Sequence, residues 1–224
     1  MVVETSHSGI IMDYSHIQLA RSDMAKYRKT LKANPIAGER HPHSAIFVSF
    51  YTPDFKAPAM RLKKSLDKLG LEHDIVPIGD KGRWRFNEAA KPEFIYEMVK
   101  KYKGKKDAVV WVDADGEMVN YPELCFSSPE ELAFHWHTWH HPISCLVLVK
   151  TTNKMVKTCE EWAKLSYTGD NSDGCPSQVA LLNVIATNNL SWLQLPGNYV
   201  MRFLEATRHK TEKKAIYMHT RWGR

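Results

Sequence analysis

Two carboxylates one residue apart, Asp113 and Asp115, close the segment Asp107–Asp115, DAVVWVDAD. Acids this close repel one another unless something cationic sits between or beside them. A divalent ion carrying phosphate oxygens meets that need, since hard cations take oxygen ligands. The plainer reading of an isolated Asp-x-Asp is a strand followed by an acidic turn, so the elements around it must decide. A second constellation, HWHTWHH, places His135, His137, His140 and His141 close together like zinc ligands. Zinc sites, however, combine such histidines with further ligands at fitting spacing, and none is evident. A wet groove wall of His and Trp suits this stretch better.

The elements that would position the acids can be read from periodicity. Ala108–Val112 is a short apolar, mostly β-branched run, suited to a buried strand and too short for a helix. Ser44–Tyr51 predicts an earlier strand, broken by Thr52-Pro53-Asp54. A helix follows from about Pro58 to Gly70. His73–Ile78 reads as a short strand whose Pro77 suggests an edge or terminal position. A polar stretch, 79–91, leads to a helix from Pro92 to about Tyr102. Strand, helix, strand in this order is the signature of a parallel sheet. In such sheets ligands sit beyond the carboxyl ends of the strands. Thr52, Gly79 and Asp113 are thus expected on one edge, with the two acids facing a ligand. Later expectations are strands at Leu132–Trp136, Ile143–Val149 and Trp192–Leu195, a last strand or turn at Ala215–His219, and helices from Asn153 and Pro176. Tyr121–Phe126 reads as a connector. Tyr14–Ala33 has the 3-4-3-4 apolar spacing of one amphipathic helix. The expected organisation is an arm with that helix over 1–43, then one domain over 44–224.

A chain of 224 residues is long enough to bury a sizeable core. No apolar run approaches the ~20 residues that span a bilayer, and the first residues lack the basic and apolar regions of a secretory signal. Cys125, Cys145, Cys159 and Cys175 are scattered without a CxxC pair, which points to reduced thiols and a cytoplasmic location. The formal charge of +6 and a pI of about 9.0 favour polyanionic partners. Basic residues cluster at 100–106 and in the tail from Arg202 to Arg224, and a solvated face is the ordinary reading of the first cluster.

Taken together, FVSFYTPDF (47–55), SLDKLGLEHDIVPI (65–78), GRWRFNEAAKPEFI (82–95), VVWVDADGE (109–117), LAFHW (132–136), Leu195-Pro196-x-x-Tyr199 and a tail His219 resemble glycosyltransferases of the GT-A fold. The likeness is to small nucleotide-sugar transferases of phages and bacteria. It covers about 44–224, and implies a single catalytic domain there with a donor-binding half over 44–120 and an acceptor half over 121–224. It implies an α/β, Rossmann-like fold: a mixed, mostly parallel central sheet flanked by helices, here with an extra N-terminal helix. It also implies a nucleotide-diphosphate sugar as donor, a UDP-sugar first among them, with Mn2+ or Mg2+. In such enzymes the second acid holds the metal and the first contacts ribose or metal, which maps to Asp115 and Asp113, with His219 completing the site. Ser49, Tyr51 and Thr52 would flank the base and ribose. Trp84, Asn87 and Lys91 resemble the segment that closes over the donor, with Lys91 available to a phosphate as a point charge. Related sequences carry an acid immediately before a Gln at the start of the second late helix. This chain departs from them with Ser177 before Gln178, which leaves Asp173 or Asp170 as the candidate catalytic base.

The acceptor is open at this level. Basic clusters with Trp139, Trp192 and Trp222 would fit DNA carrying hydroxymethylated pyrimidines. A cell-envelope glycan or a small molecule is the alternative, and so is a non-catalytic nucleic-acid-binding protein on a transferase fold. A nucleotidyltransferase also uses paired acids, but would show a Gly-rich or basic phosphate signature near its first strand. FVSFYTPDF has none. Oligomeric state is not legible, and no membrane insertion is expected.

Overall fold

The computed structural model describes residues 44–136, 142–168, 175–202 and 215–219, with the backbone alone at 201, 202 and 219. The expected N-terminal helix, Asp170, Asp173, the HTWHH histidines from His137 onward, and most of the basic tail lie outside the described residues.

The first strand, β1 (Ala45–Tyr51), is enclosed along most of its length, as its β-branched and aromatic residues require. A 3-10 turn at Pro53–Phe55 leads into α1 (Lys56–Lys68), which buries Ala59, Leu62 and Leu66. Gly70, at φ 65, ends that helix in the left-handed conformation glycine adopts without penalty. Among the described strands β2 (His73–Pro77) pairs only with β1 and lies at the sheet's edge, which is where a strand containing proline is tolerated. α2 (Trp84–Tyr102) then leads to β3 (Ala108–Val112), buried at every position.

The chain continues through β4 (Gly116–Met118), a short α3 (Glu123–Ser127), β5 (Leu132–Trp136) and β6 (Pro142–Lys150). After these come α4 (Asn153–Thr168), α5 (Pro176–Asn188), β7 (Trp192–Gln194), β8 (Met201–Arg202) and β9 (Tyr217–His219). Six strands form one mixed sheet in the order β2-β1-β3-β6-β5-β7. Only β6 runs against the others, pairing antiparallel with β3 and β5. The carboxyl ends of β1, β2, β3, β5 and β7 therefore share one edge, where the start of β6 also lies. A second sheet, β4-β9-β8, continues from the end of β3. The chain steps to opposite sides of β1 through α1 and α2. Right-handed crossovers consequently put these helices on opposite faces, where α2 packs with α4 and α5, and α1 meets β4.

Two sequence expectations need correction. The helix expected to begin at Pro92 begins at Trp84, and Pro92 lies inside it. An internal proline removes the bond to the carbonyl four residues earlier, so placing it at a helix start was the economical reading. The extra turns were hidden because the buried face carries Lys91 next to Ala89, Ala90 and Pro92, beneath a half-buried Glu88. Polar side chains at enclosed positions erase the apolar period. The segment read as a connector at Tyr121–Phe126 also contains a helix, α3, too short for periodicity to show.

Candidate functional site

β3 runs out at the shared edge and delivers Asp113 first. Its backbone N–H donates to the Cys145 carbonyl of β6 at 2.9 Å, extending the β3–β6 ladder by one residue. The Trp111 indole N–H donates to Asp113 Oδ1 at 2.8 Å. The Asp113 carbonyl accepts the Tyr217 hydroxyl at 2.9 Å and the Gly116 N–H at 3.3 Å. Both the backbone and the carboxylate of Asp113 are therefore fixed. Gly116 makes the Tyr217 contact possible: a Cβ there would lie 2.2 Å from the Tyr217 ring. Beyond Gly116, β4 pairs antiparallel with β9, with Gly116 directly opposite His219. The backbone thus brings the tail histidine to the end of the acidic turn, although more than a hundred residues separate them in sequence. Asp115, half-buried, sits in the turn between β3 and β4.

Behind the turn lies a charged cluster built from α2, the end of β3, β6 and the start of α5. The Lys91 ammonium, 3% exposed as a residue, is 2.9 Å from Glu88 Oε1 and 2.9 Å from Asp113 Oδ1. It also donates to Ser144 Oγ at 3.2 Å and lies 5.6 Å from the Trp111 ring centroid. Glu88 Oε1 receives two more donors, the Ser177 hydroxyl at 2.5 Å and the Cys175 thiol at 2.8 Å. The two serine hydroxyls, Ser144 and Ser177, are 3.2 Å apart. The Trp162 indole of α4 donates to the Ser177 carbonyl at 2.7 Å, holding the start of α5 in place.

The charge states follow from this arrangement. Burial works against the Lys91 charge, but Asp113 and Glu88 outweigh it and hold the ammonium well above its ordinary value. Burial likewise works to neutralise Glu88. The Lys91 charge and the Cys175 and Ser177 donors prevail and keep its carboxyl below the ordinary value. Burial and then the Glu88 charge push the Cys175 thiol up to about 12, so it serves as a donor. Lys91 thus holds its charge between the Glu88 and Asp113 carboxylates.

The remaining predicted residues are distributed unevenly. Ser49 is wholly enclosed in β1, and its hydroxyl has no hydrogen-bond partner; it does not line the edge as a contact to base or ribose requires. Tyr51 is half-buried at the end of β1, and Thr52, largely buried, turns the chain by accepting the Phe55 N–H at 2.8 Å. Trp84, 67% exposed, is the first residue of α2. Asn87 organises the loop ahead of it, donating to Asp80 Oδ1 at 2.9 Å and accepting the Lys81 N–H at 3.0 Å. Lys91 is not a free point charge for a phosphate, because two carboxylates already hold it. Arg61 pairs with Glu117 at 3.4 Å on the surface. Sequence reasoning missed Glu88, Ser144, Cys175 and Tyr217 as parts of the site. The available signals were the Glu88-x-x-Lys91 spacing, one helical turn, and a glycine directly after the second acid.

Asp113 and Asp115 are carboxylates on one turn, and the backbone of His219 pairs opposite its end; these are residue types that Mn2+ and Mg2+ accept. Among the described residues no group of three or more His, Cys, Asp or Glu is placed to hold a metal ion. An ion held by fewer groups would stay open to oxygens supplied by a ligand.

In sequence, no family model and no curated protein matches the chain. In structure, it is similar to a glycosyltransferase involved in the glycosylation of the major capsid of PBCV-1, with a TM-score of 0.63 and 11% identity. The match covers 81% of this chain and 94% of the other. The chain therefore has a glycosyltransferase fold of GT-A type, as the sequence resemblance implied.

Proposed function

We propose that the protein transfers a sugar from a nucleotide-diphosphate sugar, a UDP-sugar first among candidates, to a hydroxyl group of an acceptor. The observation that carries this reading is the fixed Asp113–Ala114–Asp115 turn at the carboxyl edge of a sheet with a glycosyltransferase fold. Asp115, Asp113 and His219 would hold Mn2+ or Mg2+. When bound, the ion supplies Lewis-acid neutralisation of the diphosphate. Tyr51 and Thr52, at the end of β1, would meet the base and ribose, and Trp84 and Asn87 would close over the donor. Lys91 acts one step back, orienting Asp113 through its ion pair. Asp170 and Asp173 are the candidates for taking the proton of the attacking hydroxyl.

For the acceptor, the basic balance of the chain favours a hydroxymethylated pyrimidine in DNA, which has to leave the base stack to be reached. A cell-envelope glycan is the alternative. Incubation with Mn2+ and a panel of UDP- and GDP-sugars tests the donor half directly. Slow release of nucleoside diphosphate is expected, lost with EDTA and with Asp115→Ala. Undiminished release by the Asp115→Ala protein would overturn the assignment.

A further inference from the structure

Glu88 is held in an unusual way for a surface-helix glutamate. Its side chain is 13% exposed, and every described contact it makes ends on one oxygen, Oε1. Lys91, Ser177 and Cys175 approach that atom from α2 and from the start of α5. Oε2 takes none of these contacts, and it is not among the enclosed side-chain atoms that lack a partner. A carboxylate pinned at one oxygen presents the other in a fixed direction. Because it is ionised, it can only accept hydrogen bonds. Lys91 joins it to Asp113 through a single ammonium, so the two carboxylates lie within two ion-pair lengths of each other.

A second buried cation beside Oε2 would be the simplest complement, but the triad already contains Lys91, and among the described residues no other base approaches. A hydroxyl-rich neutral group is the better match: it donates to a charged oxygen without bringing a counter-charge that would compete for Lys91. We infer that Glu88 is a sugar-recognition residue, its Oε2 accepting a hydroxyl of the hexose or pentose carried by a nucleotide-diphosphate donor. This rests on the glycosyltransferase reading above and assigns a specificity contact within it. Ser177 and Cys175 are positioning residues, holding Oε1 so that Oε2 keeps its aim.

The consequence is a division of binding between the two parts of the donor. Hydrogen bonds to a charged group favour a ligand that can make them by about 10- to 100-fold. Glu88 should therefore affect the sugar-bearing ligand and leave the nucleoside diphosphate untouched. The test is calorimetric binding of UDP, UDP-glucose, UDP-galactose, UDP-N-acetylglucosamine, GDP and GDP-mannose, each with Mn2+, to the wild-type and Glu88→Gln proteins.

The expected result is that at least one sugar nucleotide binds the wild type more tightly than its parent diphosphate. Glu88→Gln should remove that increment, about 10- to 100-fold, while UDP or GDP affinity is retained. A merely structural role would weaken diphosphate and sugar nucleotide alike, and that outcome overturns the inference. An increment that survives Glu88→Gln also overturns it but leaves the glycosyltransferase reading standing. A wild type that binds none of the six ligands removes both. Should Glu88→Gln not fold, Glu88→Asp keeps the charge and retracts the carboxylate by one methylene. The same selective loss of the sugar increment is expected there.

Discussion

Lys91 holds its charge where water hardly reaches, and two carboxylates 2.9 Å away answer it. Replacing it with methionine keeps the bulk of the stem and removes the ammonium. Glu88 and Asp113 would then face each other across a buried gap with no cation between them. Breaking a buried ion pair by deleting one partner costs about 3–5 kcal/mol, because the remaining charge is left uncompensated. Lys91→Met should lower the stability measured by urea denaturation by that amount, at an unchanged m-value. A loss below about 1 kcal/mol would mean that solvent enters the cluster and screens it. This triad also marks where legibility ended at the level of single residues. Asp113 and Asp115 were visible because an apolar strand ran straight into them. Glu88 was not, because it stands in a segment where every neighbour from Gly79 to Asn87 looks like loop. Its charge is neutralised by a lysine that also reads as a surface group.

At the scale of elements, the acidic turn is shaped less by its own residues than by the strand that closes over it. β9 enters from the far end of the described chain, and the Tyr217 ring occupies the space where residue 116 has no side chain. Its hydroxyl ties the Asp113 carbonyl, and the Ser65 hydroxyl of α1 accepts the Met118 N–H at 2.9 Å, holding β4 from the other side. A Gly116→Ala methyl, 2.2 Å from the ring, cannot be absorbed by rotating a flexible side chain, since Tyr217 is fully buried. β4 and β9 must part. Overpacking of this kind costs about 1–3 kcal/mol, and the Asp115–His219 neighbourhood would open with it. The expected readout is a lowered thermal midpoint together with loss of the stabilisation by UDP and Mn2+ that a binding-competent site gives by mass action. Tyr217→Phe keeps the ring and loses only the hydroxyl bond, so it should retain most of that stabilisation. Equal stabilisation of Gly116→Ala and wild type would show that the β4–β9 pairing does not set the site. The strand–helix–strand order was readable because each strand there has its own run of β-branched residues. β4, three residues beginning with a glycine, has no such run. It exists because β9 pairs with it, a non-local cause that no window of sequence contains.

For the whole molecule, the formal charge of +6 is the feature that bears on the acceptor, and the described residues show where that charge is already answered. Of the basic run at 100–106, Lys100 pairs with Glu97 at 3.3 Å, Lys101 with Asp74 at 2.6 Å and Lys106 with Glu72 at 2.5 Å, while Lys103 donates to Asn153. That run is a solvated face engaged with its own acids and offers little to a polyanion. Arg83 and Arg85 differ. Both are exposed, flank the exposed Trp84 and precede the exposed Phe86, and neither pairs with a carboxylate among the described residues. Exposed guanidinium groups suit a nucleic acid by neutralising phosphates, and Phe86 beside them offers a face to a base that has left the helix. If DNA is the acceptor, binding to a duplex containing 5-hydroxymethylcytosine should weaken steeply with salt. For about three neutralised phosphates the log–log slope is about −3, roughly a 40-fold loss between 50 and 200 mM salt. Reversing both charges with Arg83→Glu and Arg85→Glu should make that slope shallower by about 2 and leave UDP binding in place, as read by fluorescence anisotropy of labelled duplex. A slope identical to that of the wild type would move the contact away from the start of α2. Absence of duplex binding at 50 mM salt would turn the search for an acceptor to uncharged glycans, which this charge distribution does nothing to attract.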